Sequence, residues 1–230
     1  MPVYLLNEEI SFPDPNNSSQ EGIVAVGGDL STERLLHAYS VGIFPWYSVE
    51  SPIIWWSPDP RTILFPEEFK VSKSLQSKIN KNIFQVKFDT NFADVIENCA
   101  NVPRIDQEDT WITDDMKKAY INLHQKGYCH SVETYYNNKL VGGLYGISLG
   151  NAFFGESMFH IKTDASKVAL YFLVEKLKKW NFDFIDVQQE TDHLKSMGAK
   201  IIDRKKFLTL LKKSNQSPTR KGNWSGEILK

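Results

Sequence analysis

The chain has 230 residues, 41% of them apolar, with 27 basic and 28 acidic side chains giving a formal net charge of −1. A chain of this length buries a sizeable core as one large domain or two modest ones. Its balanced charge excludes overall basicity as a way to hold nucleic acid, so any such contact must be local. It has no run of about 18 apolar residues and no charged-then-apolar amino end, so the expectation is a cytoplasmic protein without membrane span or leader. Cys99 and Cys129 are the two cysteines; their spacing to each other and to histidine does not suit a metal, and buried thiols are expected.

In chain order, residues 1–60 are dense in Pro, Gly and Trp and read as a small N-terminal α/β lobe. One clear helix follows Ser31, a good N-cap with Glu33 in the first turn, and carries Leu35, Leu36 and Tyr39. Proline and glycine punctuate Gly42–Trp46 and Trp55–Arg61, which are expected to be ordered loops packed by their aromatics.

From Arg61 to residue 213 the pattern is that of a larger domain. The four lysines Lys70, Lys73, Lys78 and Lys81 surround a short helical stretch, either a solvated face or a phosphate track. Val86 and Phe88 alternate as a strand, a helix follows Asn91, and another runs from Thr113 to Gly127. Strands are predicted over Cys129–Tyr136, Leu140–Ser148 and Ala152–Glu156, with Asn137-Asn138 and Gly150-Asn151 as turns. Asp164 is expected to cap a long helix ending at Lys178 and Lys179. A strand at Phe184–Gln188, a short one at Lys200–Ile202 and a helix at Arg204–Lys212 complete the domain. Residues 214–230 lack an apolar period and are expected to form a mobile polar tail. This order predicts an α+β fold with a mixed, largely antiparallel sheet and one parallel crossover. It is similar to the N-acetyltransferase-like superfamily, a likeness of topology that names no substrate.

Three groups of residues bear on chemistry. Glu156 stands among Phe153, Phe154, Met158 and Phe159, where burying a carboxylate is costly without hydrogen-bond partners; it either tethers a loop or belongs to a site. Asp186 and Gln188, two apart on a strand, share a face. That face is either exposed sheet or the lining of a cleft, where Asp186 orients or accepts a proton and Gln188 donates to an oxyanion. Trp46, Trp55, Trp56, Trp111, Tyr39 and Tyr120 either join the lobe to the main domain or stack on bases. The five histidines show no ligand or shuttle spacing. Without a nucleophile signature or a glycine-rich phosphate loop, no covalent intermediate, nucleotide, metal or other cofactor is expected.

Taken together, Glu21–Leu30, Ala38–Trp46, Trp55–Arg61, Thr110–Ile112, His130–Glu133, Leu140–Gly146, Phe153–Phe159, Ala165–Lys167, Asp186–Gln188 and His193–Ala199 resemble leucyl/phenylalanyl-tRNA–protein transferases. The resemblance implies an acetyltransferase-like second domain and transfer of Leu or Phe, weakly Met, from aminoacyl-tRNA to proteins beginning with Arg or Lys. It implies catalysis by Asp186 and Gln188 and a side-chain pocket of Leu144, Phe153, Ser157, Met158, Leu170, Leu173 and Ile185, with Glu156 at its base. It further implies that Trp46, Trp111, Tyr39 and Tyr120 receive the terminal adenosine and that Lys73, Lys78 and Lys81 hold phosphates; a monomer is expected. One departure stands beside the site: His160-Ile161 follows Phe159 where the family usually has Ser-Arg. Lys162 does not offer the fork of an arginine. An acyl-CoA transferase would share the topology but needs a pyrophosphate loop, which Ile161–Asp164 is not; a non-catalytic RNA-binding module leaves Glu156, Asp186 and Gln188 without a role.

Overall fold

A computed structural model describes residues 3–102 and 111–226; Thr110 and residues 227–230 of the expected tail lie outside it. The amino-terminal part contains β1 (Tyr4–Leu6), β2 (Ile23–Gly27), α1 (Thr32–Ser40), β3 (Phe44–Pro45) and β4 (Ile54–Trp56). Helix α1 starts where its cap lies, the Ser31 hydroxyl accepting from the Arg34 N–H at 3.3 Å. The two stretches expected to be loops each supply a short strand, and β3 pairs antiparallel with β4. Pro45 is compatible with this because β3 is the edge of the order β1-β2-β4-β3 among the described residues.

From Arg61 the chain forms β5 (Arg61–Leu64), α2 (Lys73–Asn80), β6 (Gln85–Phe88), α3 (Phe92–Asn101), α4 (Asp114–Gln125), β7 (Cys129–Tyr136), β8 (Lys139–Leu149), β9 (Ala152–His160), α5 (Ala165–Lys179), β10 (Phe184–Gln188), α6 (Asp192–Ser196), β11 (Lys200–Ile202) and α7 (Arg204–Ser214). Among the described residues these strands form a sheet in the order β11-β5-β10-β9-β8-β7-β6. Strands β6 to β9 are an antiparallel meander, and α5 carries the chain across to β10, which lies parallel to β9. The fold is therefore α+β with a mixed, largely antiparallel sheet. Asn137 and Asn138 take φ of 50° and 61°, the left-handed pair that a two-residue hairpin between β7 and β8 requires.

Two local expectations change. Strand β9 runs past Glu156 to His160, because Met158 and Phe159 continue the ladder against Leu144 and Gly143. Asp164 precedes α5 with φ 70° and makes no side-chain cap; its carboxylate pairs instead with Lys78 at 2.5 Å and Lys167 at 3.3 Å.

The pleat sends alternate residues to two cores. Phe154 faces a cluster in which Leu35, Tyr39 and Trp55 of the amino-terminal part pack with Ile63, Phe92 and Tyr120, so the small sheet and the large one share apolar contacts. Phe153 faces the opposite cluster, with Val168, Leu173 and Leu177 of α5. Gly146 is needed where these layers meet: a Cβ there would lie 2.2 Å from the Phe154 carbonyl oxygen and 2.5 Å from the Phe153 ring.

The expected mobile tail is docked as far as residue 226. Within it Trp224 is 4% exposed. Its ring stacks on His130 at 3.6 Å, its N–H donates to Asp89 Oδ2 at 2.7 Å, and its carbonyl accepts from Lys176 Nζ at 3.0 Å. A single buried aromatic with satisfied backbone groups overrides the polar composition around it. Trp224→Ala should accordingly lower stability by about 3 kcal/mol in urea unfolding; a change under about 0.5 kcal/mol, ordinary for a surface site, would contradict the docking.

Candidate functional site

Glu156 owes its position to an irregularity in β9. Tyr145 pairs with Ser157 and Gly146 with Gly155, which leaves Glu156 as the extra residue of a β-bulge. Bulges redirect a side chain out of the alternating pattern. Here the carboxyl meets hydroxyls from two helices: Tyr39 of α1 donates to Oε1 at 2.8 Å and Tyr120 of α4 to Oε2 at 3.1 Å. The two phenolic oxygens are themselves 2.5 Å apart. Burial raises the Glu156 pKa to about 7, against the opposing pull of both hydroxyls. Burial also drives both phenols well above their ordinary value, so neither ionises near neutral pH.

A second irregularity separates Asp186 from Gln188. Asp186 pairs with Ile63 and Gln188 with Thr62, so Val187 is extra, and Gln188 has φ 57°. The expected shared face is lost at this point. Asp186 is fully buried and grips Arg61 of β5 through two hydrogen bonds, Nε to Oδ1 at 2.9 Å and Nη2 to Oδ2 at 2.6 Å. Its Oδ1 also accepts the Gln188 backbone N–H at 3.0 Å. The Arg61 guanidinium lies 4.7 Å from the Phe44 ring centroid and 4.5 Å from that of Phe207, so an apolar-sided charge pair is sealed beneath the sheet. The Gln188 side chain, by contrast, presents a buried Nε2 with no hydrogen-bond partner.

Two cavities meet at these residues. One, of about 350 Å³, is lined by Leu144, Phe153, Ser157, Met158, Leu170, Leu173 and Ile185, with Gly155, Tyr145, His193 and Leu194. The other, of about 240 Å³, is lined by Phe44, Pro45, Trp46, Trp111, Gln189 and Leu194. Glu156, Val187, Gln188, Thr191 and Leu194 line both. The expected pocket residues therefore converge on one apolar space, and Trp46 and Trp111 converge on the adjoining aromatic cleft.

Other expected site residues are placed elsewhere. Tyr39 and Tyr120 are fully buried and line neither cavity; they reach the site through their hydroxyls, not as ring faces for a base. Asp186 lines neither cavity either, because Arg61 occupies it. Lys78 is held by Asp164, whereas Lys73 and Lys81 are exposed at the two ends of α2. His160 and Ile161 are exposed at the end of β9, outside both linings, and the Lys162 ammonium sits 4.0 Å from the Tyr136 ring centroid. Arg61 was legible as the end of a Trp-Pro-rich motif but not as the partner of Asp186. Phe44, Thr191 and His193 carry no periodic signal that marks them as lining. Among the described residues no group of three or more His, Cys, Asp or Glu side chains could hold a metal, and no helix is long and apolar enough to cross a membrane.

An apolar pocket that opens, past a carboxyl and an amide, into an aromatic cleft defines a site for a ligand of two joined parts, one aliphatic or aromatic and one planar. Residues 63–212 match the family model of leucyl/phenylalanyl-tRNA protein transferase, and residues 28–59 match that of its N-terminal domain. Proteins named leucyl/phenylalanyl-tRNA--protein transferase are 54% identical in Syntrophobacter fumaroxidans, over 99% of this chain and 97% of that protein, and 50% identical in Myxococcus xanthus, over 98% and 97%. One from Legionella pneumophila strain Corby is 54% identical over 94% of this chain and 96% of its own length. The chain belongs to the leucyl/phenylalanyl-tRNA–protein transferase family, the aminoacyl-tRNA–protein transferases. Among solved structures, an aminoglycoside acetyltransferase from an uncultured soil metagenomic sample aligns with 50% of this chain and 84% of its own, at 14% identity and a TM-score of 0.39.

The Asp186–Arg61 pair makes a direct prediction. Asp186→Ala leaves a buried guanidinium uncompensated, so it should cost about 3–5 kcal/mol of stability, read by urea unfolding. Replacing both residues with apolar ones should recover most of that loss; a single variant as stable as the parent would contradict the buried pair.

Proposed function

We propose that this chain takes Leu or Phe, and Met more weakly, from aminoacyl-tRNA and joins it to the amino-terminal nitrogen of proteins beginning with Arg or Lys, marking them for degradation by the N-end rule. The observation that carries this reading is the junction of the two cavities at Glu156 and Gln188. An aminoacyl-adenosine fits that outline, with its side chain in the apolar pocket, its adenine between Trp46 and Trp111, and its ester at the junction. Base stacking on aromatics is worth about 1–3 kcal/mol per base. The exposed Lys73 and Lys81 are suited to meet tRNA phosphates, while Lys78 is committed to Asp164. The same reading has the enzyme act in the cytoplasm, as a monomer.

The ester is already activated, so the reaction needs no further energy source. An α-amine with pKa about 7.7–8.0 is partly neutral near pH 7, and holding it against the carbonyl supplies much of the acceleration. In this scheme Gln188 touches the reacting groups, its partnerless Nε2 donating to the oxygen that gains charge at the carbonyl. Asp186 acts through its neighbours as a positioning residue: its carboxylate is shared by the Arg61 guanidinium and the Gln188 N–H, which leaves it unsuited to take a proton from an amine.

Radiolabelled Leu-tRNA mixed with an acceptor bearing amino-terminal Arg should give labelled protein; label that stays on tRNA would point to a non-catalytic binding module instead. In the same assay Gln188→Ala should lower kcat about a hundredfold with little change in KM for the aminoacyl-tRNA. A loss confined to KM would remove Gln188 from the chemical step. Among donors, leucyl-tRNA should outperform valyl-tRNA, by a factor of about 10 if one methylene decides. Equal use of the two would argue against the apolar cavity as the selecting element.

A further inference from the structure

Proton counting around Glu156 reveals a state of the site that its sequence motif does not carry. Three oxygen–oxygen contacts close a ring: Tyr39 to Tyr120 at 2.5 Å, Tyr39 to Glu156 Oε1 at 2.8 Å and Tyr120 to Glu156 Oε2 at 3.1 Å. Each contact needs one proton, and two phenols bring two. With Glu156 ionised and both phenols donating to it, the shortest contact would hold two lone pairs face to face with nothing between them. A third proton, on the carboxyl, completes the ring: Glu156 donates to one phenol, that phenol to the other, and the second phenol back to the free carboxyl oxygen.

The surroundings favour the same count. Tyr39 on α1 and Tyr120 on α4 are neutral, as is Cys129 on β7, whose thiol burial pushes far up. Tyr145 on β8 packs edge-on against Tyr120 at 5.8 Å. Asp186 on β10 and Arg61 on β5 act on Glu156 with opposite signs, and they are paired with each other. No uncompensated cation faces Glu156 from these elements to draw its proton away.

We infer that Glu156 rests as a neutral carboxylic acid and is the group that protonates the departing ribose oxygen during aminoacyl transfer. This rests on the transfer reaction proposed above and on Glu156 lining both cavities, at the junction where that reading sets the ester. In the step, the acceptor α-nitrogen bonds to the ester carbonyl carbon, the carbon–oxygen bond to ribose breaks, and its electron pair leaves with the ribose oxygen. Glu156 gives that oxygen its proton. The carboxylate so formed takes the proton that the new amide nitrogen sheds, so Glu156 ends neutral and no proton is gained or lost overall. The two phenols hold the carboxyl in place while its charge changes, each donating to it for as long as it is ionised.

Glu156→Gln separates this role from a structural one, because the amide donates through its NH2 and accepts through its oxygen, reproducing the neutral ring. The variant should keep the parent's urea midpoint and bind aminoacyl-tRNA within about threefold, yet lose about a hundredfold in kcat. The parent's rate should rise with the acceptor amine's deprotonation and fall on the alkaline side as Glu156 loses its proton; the falling limb should vanish in Glu156→Gln. Tyr39→Phe removes a hydroxyl that lowers the Glu156 pKa, so its falling limb should move to higher pH. Carbon-13 NMR of protein labelled at glutamate carboxyl carbons reads the proton without activity. One signal should titrate between about pH 6 and pH 8, disappear in Glu156→Gln and shift upward in Tyr39→Phe. A parent in which no glutamate titrates in that range, or a Glu156→Gln variant with full kcat and an intact alkaline limb, overturns the inference. Should the parent itself leave the label on tRNA, the transfer reading fails, and the NMR titration still decides the proton count.

Discussion

A carboxyl buried against two phenols is the constraint on which the rest of this structure turns. Glu156 comes from the middle of the large sheet, Tyr39 from the helix of the amino-terminal part, and Tyr120 from a helix packed on the meander. Closing three oxygen–oxygen contacts to between 2.5 and 3.1 Å fixes all three elements relative to one another. The apolar cluster running from Leu35 and Trp55 to Tyr120 and Phe154 supplies the burial; the hydrogen bonds supply the register. Burying a polar group without partners costs several kcal/mol, which makes the arrangement specific as well as stable. The consequence for the site is that Glu156 cannot drift, although it faces two open cavities.

Regular strands would not have produced this site. On an alternating β9, Glu156 would share a side with Phe154 and Met158, and on an alternating β10, Gln188 would share one with Asp186. A bulge in each strand breaks the alternation where the polar residue stands. The second bulge holds Gln188 at φ 57°, a conformation that costs a non-glycine residue of order 1–3 kcal/mol. That strain persists because the Gln188 N–H is taken by Asp186 and Asp186 is locked by Arg61.

Much of the fold is legible in the sequence because its signals are local. Ser31 and Thr113 cap their helices, the Asn137-Asn138 pair turns its hairpin, and apolar spacing outlines α3, α5 and the meander. The apolar lining of Leu144, Phe153, Met158, Leu170, Leu173 and Ile185 is expected only through the family resemblance, because by themselves apolar residues at these positions read as core. What escapes is whatever depends on partners distant in sequence. Tyr39 reads as a helix aromatic until Glu156 is brought beside it, 117 positions along the chain. Asp186 reads as a group that orients or accepts a proton, with no partner marked for it, until Arg61, 125 positions away, is found closing on it. Short strands such as β3 and β4 are invisible among prolines and tryptophans, and Trp224 is hidden in a polar tail, because in each case one tertiary contact outweighs a local composition that points the other way.

The two carboxyls of the site also show how one sheet can give two acids different partners. Asp186 and Glu156 stand on adjacent strands, Asp186 fully buried and Glu156 half-buried where it lines the two cavities. Asp186 receives a fork of two N–H donors from a permanently charged guanidinium. Glu156 receives only neutral hydroxyls that can donate or accept, and burial moves its pKa to about 7. A carboxylate locked by arginine is a fixed anchor, suited to hold the strained Gln188 backbone. A carboxyl among phenols keeps its proton within reach of loss at neutral pH. The difference in partner, together with burial, underlies the roles proposed for the two, positioning for Asp186 and proton transfer for Glu156.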